Sequence, residues 1–250
     1  MQGAEPRELK AVILAAGKGT RMGTLTQDIP KPMIPVAGKP VVEHIMRRIA
    51  EAGVDEFVLV VGYLSEKIKS YFGDGSGFDF RVSYSEQWEG YGTGAALMAA
   101  RELAADGPVL MTFADVITSV RTYKDALSTY SKRRGAGVVT LNWVEDPYTG
   151  AAVLIDEDQR ICKIIEKPPK GEVPSRWNSA GIFVFEPVIF EYLERLTPSW
   201  RGEYELADVL NYMIGDRLPI YPSYLEGEWM DVGSVEAITA AEKLLAPRED

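Results

Sequence analysis

Glycines that follow a buried strand can bring backbone N–H groups close to phosphate oxygens, and neighbouring cations add charge. Near the start of this chain, Ala11-Val12-Ile13-Leu14-Ala15 runs into Ala16-Gly17-Lys18-Gly19-Thr20-Arg21-Met22-Gly23. The chemistry this suggests is phosphate binding, with Lys18 and Arg21 as local cations. A tight turn carrying surface cations is the plainer alternative. The dinucleotide pattern G-x-G-x-x-G is missed because the third glycine comes one residue late. Gly62, not an acid, follows the second strand. At Gly38-Lys39 the phosphate-loop pattern also fails, with Pro40 next and Met33 where the first glycine belongs. Lys31 stands between Pro30 and Pro32, which should hold it in an extended, stiff segment. A lysine held this way loses less entropy on meeting a phosphate. A surface lysine in a proline-rich connector is the alternative. Other chemistries have little material. The single histidine, His44, lies between Glu43 and Ile45 on an expected helix and reads as structural. A serine triad is hard to build, although Ser83 and Ser85 exist.

The elements that must position these residues follow from the apolar pattern. Ala11–Ala15, Phe57–Val61 and Val109–Phe113 read as buried strands, and Arg81–Tyr84 alternates like one. Val41–Ala52 has helical spacing, Ser65–Phe72 reads as a short helix capped by Ser65, and Thr93–Leu103 as an alanine-rich helix. Continuous apolar strands separated by helices indicate a parallel sheet covered on both faces. Strands at Ala136–Trp143, Ala151–Ile155, Ile161–Ile165 and Ile182–Phe185 make the second half mixed, with Asp156-Glu157-Asp158 as a hairpin tip. Helices return at Val188–Leu196, Tyr204–Ile214 and Val235–Leu245. The expected class is α/β, with a mostly parallel central sheet.

Composition bounds the partners. The 250 residues are 46% apolar and 26% charged, an ordinary globular balance. The net charge is −10, from 27 Lys+Arg against 37 Asp+Glu, which argues against nucleic acid or an anionic membrane as the main partner. A small phosphorylated ligand needs only a few local cations. No apolar run is long enough for a membrane span, and MQGAEPRELK does not look like a secretory signal. The lone Cys162 cannot form an intrachain disulfide or a zinc site, so a reducing cytoplasm is expected.

Taken together and in order, several motifs resemble those of the sugar-1-phosphate nucleotidylyltransferases, the nucleoside-diphosphate-sugar pyrophosphorylases. They are Leu14-Ala15-Ala16-Gly17-Lys18-Gly19-Thr20-Arg21-Met22 with Pro30-Lys31-Pro32, Gly92-Thr93-Gly94-Ala95, the strand-end Asp115, Glu166-Lys167-Pro168, Asn178-Ser179-Ala180-Gly181-Ile182 and Trp229-Met230-Asp231-Val232-Gly233. The resemblance covers nearly the whole chain. It departs from the family in having Ala114, not Gly, before Asp115, and a shorter glycine turn, Gly90-Tyr91-Gly92-Thr93-Gly94.

The resemblance implies a Rossmann-like nucleotide-diphospho-sugar transferase fold in a single domain over 1–250. Its nucleotide-binding half would span 9–135 and its sugar-phosphate-binding half 136–246. The implied reaction joins a nucleoside triphosphate and a sugar-1-phosphate into a nucleotide-sugar with release of pyrophosphate. It implies Arg21, Lys31 and Lys167 as catalytic cations, and Asp115 and Asp231 as ligands of the cofactor Mg²⁺. Nucleotide would be held by Leu14, Ala16, Gly17, Gly19, Thr20, Arg21, Gln87, Gly92 and Thr93. Sugar phosphate would be held by Gly150, Glu166, Lys167, Asn178 and Trp229, with Tyr148 a further candidate for packing on the sugar. Gln87 favours UTP or dTTP, because one amide can pair with both O4 and N3–H of the base. A glucose-type hexose is the expected acceptor, and no acyltransferase domain is expected after Asp231. A homo-oligomer is compatible with the sequence. Two alternatives keep the ligand class: a related enzyme with a non-sugar acceptor, such as a phosphocholine or inositol-phosphate cytidylyltransferase or a molybdopterin nucleotidylyltransferase, and a non-catalytic nucleotide-sugar sensor. A related glycosyltransferase would need an Asp-x-Asp motif, and Val116-Ile117 follow Asp115.

Overall fold

The computed structural model describes residues 8–87 and 90–245, and of Thr20 and Arg21 the backbone alone. β1 (Lys10–Leu14) leads into a 3-10 segment over Thr20–Thr26, a 3-10 turn over Lys31–Met33 and a small hairpin of β2 (Pro35–Val36) and β3 (Lys39–Pro40). α1 (Val41–Glu51), β4 (Glu56–Val61), α2 (Ser65–Phe72) and β5 (Arg81–Glu86) follow. Then come α3 (Thr93–Ala99), α4 (Arg101–Ala104), β6 (Val109–Phe113), β7 (Val116–Thr118) and α5 (Val120–Arg133). The remainder is β8 (Gly137–Trp143), β9 (Ala151–Ile155), β10 (Ile161–Glu166), β11 (Trp177–Phe185), α6 (Ile189–Leu193), α7 (Leu206–Gly215), β12 (Ile220–Tyr224), β13 (Trp229–Asp231) and α8 (Val235–Leu245).

Among the described residues nine strands form one sheet. Its main path runs β10-β9-β11-β6-β1-β4-β5, with β8 on β11 and β12 on β8. β1 pairs in parallel with β4 on one side and β6 on the other, and β4 with β5. The strands of the second half enter antiparallel, β11 lying against β6, β8 and β9. β1 is buried on both faces, with Ala11, Val12 and Ile13 all at 0% exposure. Ala11 and Ile13 face a core closed by Val42, Ile45, Met46 and Ile49 of α1, with α2, α5 and α8 beside them. Val12 faces the opposite core, built on α3, α6 and α7. The four α1 side chains recur at helical spacing and are fully buried. Each contributes roughly 1.5–3 kcal/mol relative to exposure.

The sequence expectations need several corrections. Lys31 is not in an extended segment: Pro30 and Ile34 are extended, but Lys31–Met33 between them forms a 3-10 turn closed by Met33 N–H donating to the Pro30 carbonyl at 2.8 Å. Pro32, locked near φ −65°, suits the second position of such a turn. Ser65 does not cap α2. It is the first helical residue, and the cap position is Leu64 in a left-handed conformation with no side-chain hydrogen bond. The expected helix Thr93–Leu103 is two helices meeting at Ala100. α5, β7, β12 and β13 lie in stretches where no element was expected.

Candidate active site

The strand order reverses between β1 and β6, since the chain adds β4 on one side of β1 and β6 on the other. In open α/β sheets ligands bind beyond the carboxyl ends of strands at such a point. A cleft of about 900 Å³ opens there. The glycine loop after β1 forms one wall, and the Asp115 turn after β6 another.

Gly19 sits in the glycine loop at φ 64°, a left-handed conformation that L side chains rarely adopt. A Cβ there would lie 2.9 Å from the Lys31 Cβ. The loop therefore lies directly against the stem of Lys31. The Thr26 hydroxyl donates to the Gly19 carbonyl at 3.1 Å and fixes the turn from below. The Lys31 ammonium donates to Asp115 Oδ2 and lies 3.8 Å from Asp231 Oδ1. Side-chain exposures of 18%, 27% and 53% for Lys31, Asp115 and Asp231 place the group at the cleft's mouth.

Asp115 and Asp231 are 116 positions apart in the chain. Their convergence comes from the β7–β13 ladder, which pairs Trp229 with Thr118, Met230 with Ile117 and Asp231 with Val116. Val232 N–H adds a bond to the Asp115 carbonyl at 2.8 Å. Both carboxylates reach one cation, the Lys31 ammonium, so both aim at a single point. Two hard oxygen donors suit Mg²⁺, which keeps waters and takes phosphate oxygens for its other positions. Among the described residues no cluster of three or more His, Cys, Asp or Glu could hold a metal ion, so the fit rests on this pair.

The glycine turn is pinned from the other half of the chain. Tyr204 N–H donates to the Tyr91 carbonyl at 2.7 Å, and Gly94 N–H to the Tyr204 carbonyl at 2.8 Å. Thr93 Oγ1 accepts from Leu206 N–H at 2.9 Å, satisfying a first-turn donor of α7. Gln87 folds its amide back on the turn, donating to the Gly90 carbonyl at 3.2 Å. Its neighbour Trp88 lies outside the described residues.

At the far end, β10 delivers Glu166. Lys167 follows at φ 43°, its N–H donating to the Gly150 carbonyl at 2.7 Å. A left-handed non-glycine residue here is strained by an amount of order 1–3 kcal/mol, a feature concentrated at functional sites. Gly150 has no room for a side chain, because a Cβ would lie 2.1 Å from Asn178 Oδ1. Asn178 is buried beneath it and donates to Asn142 Oδ1 at 3.0 Å and to the Ser179 carbonyl at 2.8 Å, while its own Oδ1 has no hydrogen-bond partner.

The cleft lining gathers Leu14, Ala16, Gly17, Gly19, Lys31, Gln87, Gly92, Thr93, Asp115, Gly150, Glu166 and Asp231. Lys167, Asn178 and Trp229 are not among its described lining residues. Lys167, next to the lining Glu166, is exposed, and Trp229 turns its indole N–H to the Ala180 carbonyl at 2.8 Å. The side chains of Thr20 and Arg21 lie outside what is described. Tyr148 is also away from the lining, with the Lys170 ammonium 5.1 Å over its ring. His44 donates from Nε2 to the Val36 carbonyl at 2.8 Å, and burial lowers its pKa.

The sequence reading missed one group. Arg201 meets Glu203 at 2.7 Å, Glu205 at 3.1 Å and Glu166 at 3.7 Å. Burial, together with the like charges of Glu205 and Glu203, pushes Glu166 up to about 7 against the opposing pull of Lys167 and Arg201. Burial raises Glu205 as well. The one signal for this group was the alternation Arg201-x-Glu203-x-Glu205, which also describes a solvated loop.

Residues 10–247 match the family described as nucleotidyl transferase. A bifunctional protein GlmU of Methanococcus maripaludis is 37% identical over 231 residues, covering 90% of this chain and 51% of that protein. A glucose-1-phosphate thymidylyltransferase of Streptomyces antibioticus is 32% identical, covering 91% of this chain and 63% of its own length. The chain thus spans about half the length of the first relative and less than two thirds of the second. A solved UDP-glucose pyrophosphorylase in complex with UDP-glucose superimposes with a TM-score of 0.83 at 24% identity, covering 95% of this chain and 98% of that one. At that identity the likeness is one of fold.

Proposed function

Because the chain belongs to the nucleotidyl transferase family, we propose that its cleft joins a nucleoside triphosphate to a sugar-1-phosphate. One observation carries the reading: Lys31, Asp115 and Asp231 converge beside the glycine loop at the sheet's switch point. A phosphate oxygen of the sugar-1-phosphate attacks the α-phosphorus. The new O–Pα bond forms as the bond from Pα to the β-bridging oxygen breaks, and pyrophosphate leaves with that electron pair. The attacking phosphate is already ionised near neutral pH, so no side chain need act as general base.

What the protein must supply is alignment and charge. The backbone of Gly17–Gly19 cradles the triphosphate, with Arg21 as a further cation. Lys31 neutralises charge at the α-phosphoryl group. Gly92 and Thr93 shape the base pocket, and Gln87 turns its amide to a uracil or thymine ring. Lys167 holds the phosphate of the acceptor, Gly150 and Glu166 meet the sugar, and the buried Asn178 supports Gly150 from beneath. Asp115 and Asp231 would hold Mg²⁺, whose charge offsets the gathering phosphate oxygens. A glucose-type acceptor and a thymidylyl or uridylyl donor are the favoured pair, in keeping with the thymidylyltransferase relative.

The test is a panel of the four ribonucleoside triphosphates plus dTTP against several sugar-1-phosphates, read by pyrophosphate release with and without EDTA. Release that needs both substrates and stops with EDTA supports the reading. Nucleotide-sugar binding without pyrophosphate release would replace the enzyme with a sensor.

A further inference from the structure

The two aspartates assigned to Mg²⁺ already have a cation between them. Lys31 donates to Asp115 and stands 3.8 Å from Asp231, so its ammonium lies where a divalent ion would have to settle. The lysine is anchored at one end only. Its backbone is fixed by the turn that Met33 N–H closes onto Pro30 and by Ile34 N–H donating to the Lys31 carbonyl at 3.2 Å. Beyond Cβ runs a flexible four-carbon stem with a compact charge at its tip. That stem passes beside Gly19, within the wall that would carry the triphosphate. One swing of the side chain therefore separates two anionic destinations, the aspartate pair and a phosphate on the glycine loop.

We propose that Lys31 is a resident counter-ion of the Asp115–Asp231 pair and that it competes with the divalent cation for the same oxygens. Nucleotide resolves the competition. A bound triphosphate offers the ammonium a new partner, and the carboxylates it leaves can turn to the metal. Metal and nucleotide then bind with positive coupling, each favouring the arrangement the other needs. Without the lysine, two converging carboxylates would repel each other and attract divalent ions indiscriminately; with it, one of the two negative charges is offset and the empty site attracts divalent ions less. This rests on the assignment of Asp115 and Asp231 as metal ligands, and the test separates the two claims.

Mn²⁺ binding is measured without nucleotide, by the loss of the free-ion paramagnetic resonance signal, for the wild-type chain and for Lys31→Gln, Asp115→Asn and Asp231→Asn. Lys31→Gln should bind Mn²⁺ tighter by roughly tenfold, since no charge-assisted pair must be broken first. Both aspartate variants should lose the site. Unchanged or weaker binding in Lys31→Gln, with loss in both aspartate variants, overturns the competition and leaves the ligand assignment standing. Full retention of binding in both aspartate variants overturns the assignment and the competition with it. A second arm needs no substitution. Acetylation of Lys31 in the wild-type chain, followed by mass spectrometry, should accelerate severalfold when Mn²⁺ is added without nucleotide. An unchanged rate at Mn²⁺ concentrations that occupy the site means the lysine was never displaced, and the proposal falls.

Discussion

Replacing Glu166 by Gln removes a charge that the fold works to suppress. The carboxyl is held at about 7 against an ordinary value of 4.5, chiefly by burial and by Glu205. A carboxyl raised in the folded state gives its full stabilising contribution below the unfolded value of 4.5, where both states are protonated. The contribution is lost as pH climbs through 7, because the unfolded chain releases its proton first. The full shift corresponds to about 3 kcal/mol at pH 8. The side chain is 29% exposed, and solvent screens part of that, leaving about 1–2 kcal/mol. Gln has the shape of the protonated acid and none of the charge, so Glu166→Gln should melt about 3–6 °C above the wild type at pH 8. The gap should narrow through pH 6 and vanish near pH 4.5. Circular dichroism melts of both proteins from pH 4.5 to 8 measure it. A gap that is absent at pH 8, or that stays constant across the range, refutes the idea that Glu166 carries a costly charge.

Gly150→Ala forces a Cβ to within 2.1 Å of Asn178 Oδ1, and overpacking of this kind should cost about 1–3 kcal/mol, read as a shift in the urea midpoint. A wild-type midpoint would mean the two segments part without resistance. Lys167→Ala should raise KM for the sugar phosphate at least tenfold and leave KM for the triphosphate within twofold; steady-state pyrophosphate release with each substrate varied distinguishes the two, and the reverse pattern would move the lysine to the donor side. Asp231→Asn should lower Mg²⁺-dependent turnover by at least a hundredfold with an unchanged circular dichroism spectrum. Turnover at the wild-type rate would remove Asp231 from the site.

The parallel strands and α1 were legible because their apolar residues are continuous or recur at helical spacing. α5 was not, for a physical reason: of VRTYKDALSTYSKR only Thr122, Tyr123 and Ala126 are buried, so no apolar stripe marks it. Its signal was the cap, where Ser119 Oγ accepts from Thr122 N–H at 3.3 Å. β12 was hidden by Pro222, which reads as a breaker, yet among the described residues β12 pairs only with β8 and an edge strand tolerates proline. In the candidate site, the glycine loop drew notice by residue type and spacing, whereas Lys31 and the motif aspartates stood out only through the family resemblance. The Arg201 cluster did not, because Glu166 reaches it from a strand 35 positions earlier and nothing local encodes that meeting.

The short ladder between β7 and β13 also sets a schedule. In a growing chain β1, β4, β5, β6 and the glycine loop are all made within the first half, although one face of β1 and β6 stays uncovered until β11, α6 and α7 follow. Asp115 then waits for Asp231 until more than a hundred further residues have been added and Trp229–Asp231 can dock on Val116–Thr118. A nascent chain stalled before that point holds the glycine loop and only one of the two carboxylates. On the proposed reading it could capture nucleotide but not turn it over, so chemical competence arrives almost last in the life of the growing polypeptide.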